Sequence, residues 1–146
     1  MILLDTSGLL AALDSSQRQH VPAAAALRAA RGPLLLSPFV LAELDYLLAT
    51  RVGWHAAIAL LAEVGRGAYR LETFDAGDVA TAHDIIEAFA GLDVGLADAS
   101  IVVLSRRYET LDVLTLDERH FRTLRGATGR PFRVLPADAS TGGSIG

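Results

Sequence analysis

The chain opens Met1-Ile2-Leu3-Leu4-Asp5-Thr6-Ser7, and this stretch constrains everything after it. Three apolar residues running straight into a carboxylate and two hydroxyls describe a short buried strand. Its carboxyl end delivers Asp5, and Thr6 or Ser7 then starts a helix. In open α/β sheets, ligands bind at the carboxyl ends of the strands. Asp5 therefore stands where chemistry is done, and the question is what else arrives beside it.

Strands and helices alternate along the rest of the chain. The first strand covers residues 2–5, and a short helix follows through Leu13. Asp14-Ser15-Ser16 breaks that helix; Ser16 can cap a second one over residues 17–30, with Pro22 near its first turns. Leu34-Leu35-Leu36 is the second strand. Ser37-Pro38 then gives a serine cap and a proline at the first helical position. The helix it starts runs from about 38 to 51, with Val40, Leu41, Leu44, Leu47 and Leu48 at helical spacing on its buried face and Glu43 near the flank. Further helices are expected over 54–65, 76–90, 97–107 and 118–124, and further strands over 69–72, 112–115 and 132–135.

This rhythm implies a parallel sheet covered on both faces. The fold class is α/β, a three-layer sandwich with a five-stranded parallel sheet. One domain spans residues 1–136; the small, polar stretch 137–146 is expected to be a mobile tail.

Composition excludes several classes. With no cysteine among 146 residues there is no disulfide framework, thiolate zinc site or cysteine nucleophile. All 13 basic residues are arginine, and the missing lysine excludes a P-loop enzyme and a receiver domain. The residues after the first strand, Thr6-Ser7-Gly8-Leu9-Leu10, do not match a dinucleotide-binding glycine pattern. An aspartyl-nucleophile phosphatase would carry an aspartate where Ser7 stands. The N-terminus lacks a secretory pattern, and the longest apolar stretch, Leu34 to Leu48, is too short and too acidic to span a bilayer. A cytoplasmic protein with no membrane association is expected.

The net charge of −4 argues against a general electrostatic grip on nucleic acid. Seven arginines nevertheless fall between residues 106 and 133, a basic edge compatible with local phosphate contacts. Each also reads as part of a solvated helix face.

Four carboxylates share a placement. Asp5 ends the first strand, Glu43 lies on the helix after the second, Asp98 is in the first turn of the helix before the fourth, and Asp117 follows the fourth by two residues. In a parallel sheet all four gather at one end. Together they repel, and without a ligand their pKa values rise. A hard divalent cation resolves this: Mg²⁺ and Mn²⁺ take oxygen ligands, and Mg²⁺ characteristically binds one or two carboxylates plus substrate phosphate. That equipment suits phosphodiester hydrolysis. The hydroxyls of Thr6, Ser7 and Thr115 are placed to support metal-bound water or a phosphate oxygen. Singly, Asp98 also reads as a helix-terminus charge, Glu43 as a surface residue and Asp117 as a turn residue.

The segments Leu3-Leu4-Asp5-Thr6-Ser7, Ser37-Pro38-Phe39-Val40-Leu41-Ala42-Glu43-Leu44, Leu96-Ala97-Asp98-Ala99-Ser100-Ile101 and Leu114-Thr115-Leu116-Asp117-Glu118-Arg119-His120-Phe121 resemble the four signature segments of the PIN-domain nucleases, in that family's order. Within it, the chain resembles the VapC-type toxins of bacterial toxin–antitoxin pairs. The resemblance implies a Mg²⁺-dependent endoribonuclease, with Mn²⁺ as the alternative metal. It assigns Asp5, Glu43, Asp98 and Asp117 as catalytic acids, with Asp5 and Asp98 as direct metal ligands. It also implies a cognate VapB-type antitoxin that blocks the acidic site, a homodimer, and a structured RNA substrate: particular tRNAs or the sarcin–ricin loop of large ribosomal RNA. The stretch Ala42-Glu43-Leu44-Asp45-Tyr46-Leu47 resembles toxins of the ribosomal-RNA group. Arg119 and Arg122 are the candidate RNA contacts. The competing reading is a non-cleaving PIN-like module that binds RNA or protein.

His20, His55, His83 and His120 lie on different elements, so no histidine acid–base pair is expected. His120 is close in sequence to Asp117 and within reach of RNA, but reads chiefly as a helix-surface residue. Trp54 reads as a packing or dimer residue.

Overall fold

Ile2, Leu3 and Leu4 form strand β1, and all three are buried. Successive strand residues face opposite sides of a sheet, so a strand buried at every position needs cover on both. The computed structural model describes residues 1–139. Among them, β1 is followed by β2 (Leu34–Leu36), β3 (Arg70–Leu71), β4 (Asp112–Leu114) and β5 (Arg133–Leu135). The helices are α1 (Thr6–Leu13), α2 (His20–Ala29), α3 (Pro38–Arg51), α4 (Trp54–Gly65), α5 (Ala76–Ala88), α6 (Leu96–Tyr108) and α7 (Glu118–Phe121).

The sheet order is β3-β2-β1-β4-β5, and every pairing is parallel. The chain steps outward from β1 to β2 and β3, then returns to the other side of β1 for β4 and β5. That reversal creates a topological switch point between β1 and β4, the place where a ligand crevice opens in such sheets. Leu3 pairs with Val113 and Leu4 with Leu114. The ladder continues past the strand ends: the Asp5 amide donates to the Leu114 carbonyl at 3.0 Å, and the Thr115 amide to the Leu135 carbonyl at 2.9 Å.

Gly8 decides how closely α1 approaches this edge. A methyl group there would overlap the Leu114 carbonyl and the Thr115 amide. Glycine is what lets the first turn of α1 lie on the end of β4 and bring Asp5 and Ser7 against Thr115. The core lies beneath that edge: Leu3, Leu9, Leu35, Leu36, Leu44, Val113 and Leu114 are wholly buried. Each buried leucine stabilises the fold by about 1.5–3 kcal/mol relative to exposure.

Ser37 caps α3 by accepting from the Phe39 amide at 3.1 Å. Its hydroxyl also accepts from Ser100 Oγ at 2.7 Å, a buried contact that ties the start of α3 to the start of α6. The helices carrying Glu43 and Asp98 are thereby held in register.

At the opposite side of the sheet β3 leads into Glu72, a buried carboxylate with three partners. Arg107 Nη1 lies 3.1 Å away and Arg70 Nε 3.4 Å away, and the Tyr108 hydroxyl donates to it. This cluster fastens the sheet edge to α6.

Two helices depart from expectation. α2 begins at His20 rather than at 17, because the Asp14 carboxylate accepts from the Ser16 amide at 3.0 Å, from Ser16 Oγ at 2.8 Å and from Gln17 Nε2 at 3.1 Å. Such side-chain turns compete with helix, and Ser16 is part of the turn rather than the helix cap. The helix expected through residue 90 stops at Ala88 and passes through a 3₁₀ turn, Ala90–Leu92, to Asp93 in the left-handed region at φ 57°. The other element ends differ from the sequence reading by three residues or fewer, most by one or two, as fraying ends do. Of the stretch expected to be a mobile tail, Asp138 accepts from the Val134 amide at 2.8 Å and pairs with Arg122 at 2.9 Å; residues 140–146 lie outside the described residues.

Candidate metal centre and active site

Asp5 leaves β1 almost fully buried. Thr115 Oγ1 donates to its Oδ2 at 2.6 Å, and Ser7 Oγ donates to the same oxygen at 3.1 Å. Thr115 Oγ1 also accepts from the Asp117 amide at 2.9 Å, and Ser7 Oγ accepts from the Leu116 amide at 2.9 Å. Two hydroxyls thus stitch the end of β1 to the loop after β4. Both of these side-chain bonds fall on Oδ2, so Asp5 Oδ1 has no side-chain partner among the described residues. Burial, reinforced by the charge of Asp98, pushes the Asp5 carboxyl up to about 6 despite the hydrogen bonds from Thr115 and Ser7.

Asp98 sits at the third position of α6, its Oδ2 3.4 Å from the Gly95 amide. The N-terminal end of a helix dipole favours an anion there. Burial nonetheless raises its pKa; the Gly95 amide and His120 oppose the rise, and Asp117 adds to it. Asp117 caps α7 by accepting from the His120 amide with Oδ1 at 3.0 Å. Glu43 is exposed on the second turn of α3.

Asp5, Glu43, Asp98 and Asp117 all line one cleft of about 320 Å³, together with Thr6, Ser7 and the start of α6. The four acids expected to converge are therefore in one place. Among the described residues, no arginine lies within 4 Å of any of these four carboxylates.

Two buried polar atoms have no aligned hydrogen-bond partner among the described residues, Thr6 Oγ1 and His120 Nδ1, and both belong to this site. Orphaned polar atoms cost free energy unless a ligand or water meets them. Clustered acid oxygens without an arginine partner, beside orphaned polar atoms, are the donor set that a hard divalent ion fits. Asp5 and Asp98, the two most enclosed acids of the cleft, would hold it.

Two lining or neighbouring residues were not assigned to the site from the sequence. Arg51 enters the cleft from the last turn of α3. The signal was available: residues 43, 47 and 51 repeat every four positions on one helix face. His120, read as a helix-surface residue, is only 15% exposed; its Nδ1 lies 2.8 Å from Asp117 Oδ2 and 3.2 Å from Asp98 Oδ2. Of the expected RNA contacts, Arg119 is exposed, while Arg122 is held by Asp138 and Glu118 at 2.9 and 2.8 Å. Trp54 is 65% exposed rather than packed within the chain.

Comparison with known proteins agrees with this geometry. The PIN domain family matches residues 2–126. The chain is 42% identical over 135 residues to ribonuclease VapC26 of Mycobacterium tuberculosis (strain ATCC 25618 / H37Rv), covering 92% of this chain and 100% of that protein. Among solved structures it resembles M. tuberculosis VapC20, described as a sarcin–ricin loop cleaving toxin, with a TM-score of 0.76 at 22% identity over 82% of this chain and 92% of that one. It also resembles the DNA-bound VapBC of Salmonella typhimurium, with a TM-score of 0.63 at 19% identity over 91% and 96% of the two chains. At these identities the structural likenesses speak for the fold. The sequence matches and the acid-lined cleft together place the chain in the PIN-domain family, among its VapC-type ribonucleases.

Proposed function

We propose that this chain is the toxin of a VapBC-type pair, cleaving structured RNA with Mg²⁺ or Mn²⁺ bound among Asp5, Asp98, Asp117 and Glu43. The observation that carries the reading is the convergence of four carboxylates without an arginine partner, one of them buried with its pKa pushed up to about 6. Asp5 and Asp98 are the primary ligands. Asp117 and the more exposed Glu43 complete the shell or take the proton of the attacking water. When bound, the metal supplies a water of lowered pKa and offsets charge on the phosphate.

The chain's own groups position these parts. Thr115 and Ser7 fix the Asp5 carboxylate through Oδ2. Thr6 offers an unpartnered hydroxyl to a phosphate oxygen or water. Arg51, eight residues beyond Glu43, stands about 12 Å further along α3. It is placed to hold a phosphate some nucleotides from the scissile bond, and Arg119 is a second candidate. Arg122 can reach RNA only by giving up its two carboxylates, so we assign it a bracing role.

The substrate class is a structured RNA, a particular tRNA or the sarcin–ricin loop. The partner is a VapB-type antitoxin whose arginine-bearing segment enters the acidic cleft, since guanidinium–carboxylate pairing is strong and directional. We also propose a homodimer acting in the cytoplasm; among the described residues no helix is long and apolar enough to cross a membrane.

Purified protein and Asp5→Asn, incubated with total RNA and Mn²⁺, test the catalytic claim. Wild type is expected to cut at discrete sites and the variant more than about 100-fold more slowly, because even residues that only support metal ligands are worth 10–100-fold. RNA left equally intact by both would overturn it. Mapping the new ends distinguishes tRNA from ribosomal RNA, and co-purification with the product of the neighbouring open reading frame tests the antitoxin.

A further inference from the structure

The imidazole of His120 reaches Asp98 and Asp117 together. Its Nδ1 lies 2.8 Å from Asp117 Oδ2 and 3.2 Å from Asp98 Oδ2, and the three donor atoms fall within 4.8 Å of one another. At those distances a charge-assisted hydrogen bond would be expected, yet Nδ1 is buried and makes none of acceptable alignment. The ring nitrogen is close to both oxygens but aimed along neither.

That combination has a simple geometric reading. In octahedral coordination with bonds of roughly 2.0–2.2 Å, neighbouring donor atoms stand about 3 Å apart, and each donor aims at the ion rather than at the next donor. The two observed separations bracket that spacing. The local chain supports it. Asp117 uses Oδ1 to cap α7 through the His120 amide, which leaves Oδ2 on the side of the imidazole. The cap fixes the start of the short helix from which the ring projects.

We infer that His120 is a nitrogen ligand, through Nδ1, of the divalent cation shared by Asp98 and Asp117. This rests on the metal-dependent reading above and sharpens it, because a nitrogen donor changes the balance among ions that a site of carboxylates alone would set. Mg²⁺ demands oxygen donors, whereas transition-metal ions, Mn²⁺ the weakest of them, accept imidazole nitrogen. The site therefore prefers Mn²⁺ to Mg²⁺ more strongly than its four carboxylates would.

Pulsed electron paramagnetic resonance of the full chain loaded with less than one equivalent of Mn²⁺ tests this directly. The expected result is a ¹⁴N coupling at the Mn²⁺ that becomes a ¹⁵N coupling when the histidines are isotopically labelled. It should vanish in His120→Gln, which separates it from the exposed group of His83, Asp84 and Glu87. Calorimetry is expected to give about 10-fold weaker Mn²⁺ binding or worse in His120→Gln, with a smaller change for Mg²⁺. Circular dichroism in chelator checks that the variant is folded, and the wild-type spectrum decides even if it is not. Mn²⁺ bound to wild type without nitrogen coupling, or a coupling that survives in His120→Gln, overturns the inference and leaves the nuclease reading standing. Failure of wild type to bind Mn²⁺ overturns both.

Discussion

Glu72 and Asp5 are equally enclosed carboxylates, 7% and 5% exposed, yet they sit in opposite electrical surroundings. Glu72, beyond β3, is met by Arg107, Arg70 and the Tyr108 hydroxyl. Asp5, beyond β1, meets two hydroxyls and the field of a second carboxylate, and its pKa is pushed up to about 6. Burying a charge is costly unless it is paired. Glu72 is paired by the chain itself and holds the sheet edge to α6. Asp5 is left for a partner the chain does not supply. A buried acid that the fold has satisfied is a brace; one that the fold has left wanting marks the place of function.

The comparison can be broken at either end. One end is Glu72→Ala, which leaves the Arg107 guanidinium and the half-buried Tyr108 phenol without their acceptor. We expect a loss of about 2 kcal/mol in denaturant unfolding, less than for a fully buried pair because both guanidiniums reach solvent. RNA cleavage by the folded fraction should persist, since Glu72 is outside the cleft. A negligible loss would mean that the cluster is not a brace.

The pH dependence sharpens the other end. Asp5 has a folded pKa near 6, above the unfolded value near 4. Between those values the native state binds more protons than the unfolded chain, so stability falls as pH rises through that interval and levels off above it. A shift of this size is worth up to about 3 kcal/mol; the proton release that accompanies metal binding should reverse the trend when Mn²⁺ is present. Urea unfolding at pH 4, 5, 6 and 7 with chelator, compared with Asp5→Asn, isolates the contribution. Parallel pH profiles for the two proteins would remove Asp5 as its source.

The smallest effects repeat the contrast among cations. Arg122 is held by two carboxylates, whereas Arg51 has none within 4 Å among the described residues. Arg51→Ala should lower the slope of RNA affinity against salt by about 0.7–0.9, one phosphate contact. Arg122→Ala should leave that slope unchanged and slightly lower the melting temperature. The reverse assignment would show that the paired arginine is the one that turns toward RNA.

The sheet and the four acids were legible because each is announced locally. Leu34-Leu35-Leu36 followed by Ser37-Pro38 describes a buried strand, a cap and a helix start within five residues, and α3 begins and ends where that signal places it. Asp5 and Asp117 stand at fixed offsets from apolar strands, so a parallel sheet brings them together. His120 was less legible. Its contact with Asp117 is local, but its approach to Asp98 depends on how α7 docks against the start of α6, 22 residues away in sequence. Glu72 was hidden for the same reason, since Arg107 and Tyr108 reach it from α6. The Asp14 turn that delays α2 was lost to side-chain hydrogen bonds, which helical periodicity does not register. Local pattern gives elements and their ends; pairing across elements decides which buried charge is satisfied.

The central claim is that Asp5 lacks a cationic partner among the chain's described residues and awaits a metal. Melting wild type and Asp5→Asn in chelator and in excess Mn²⁺ tests it most directly. The account predicts that Asp5→Asn melts at or above wild type in chelator, and that Mn²⁺ at about 100 times its dissociation constant raises the wild-type melting temperature by roughly 5–10 °C while leaving the variant nearly unmoved. An Asp5→Asn protein that melts far below wild type in chelator, with neither protein responding to Mn²⁺, would make Asp5 a second Glu72 and contradict the account.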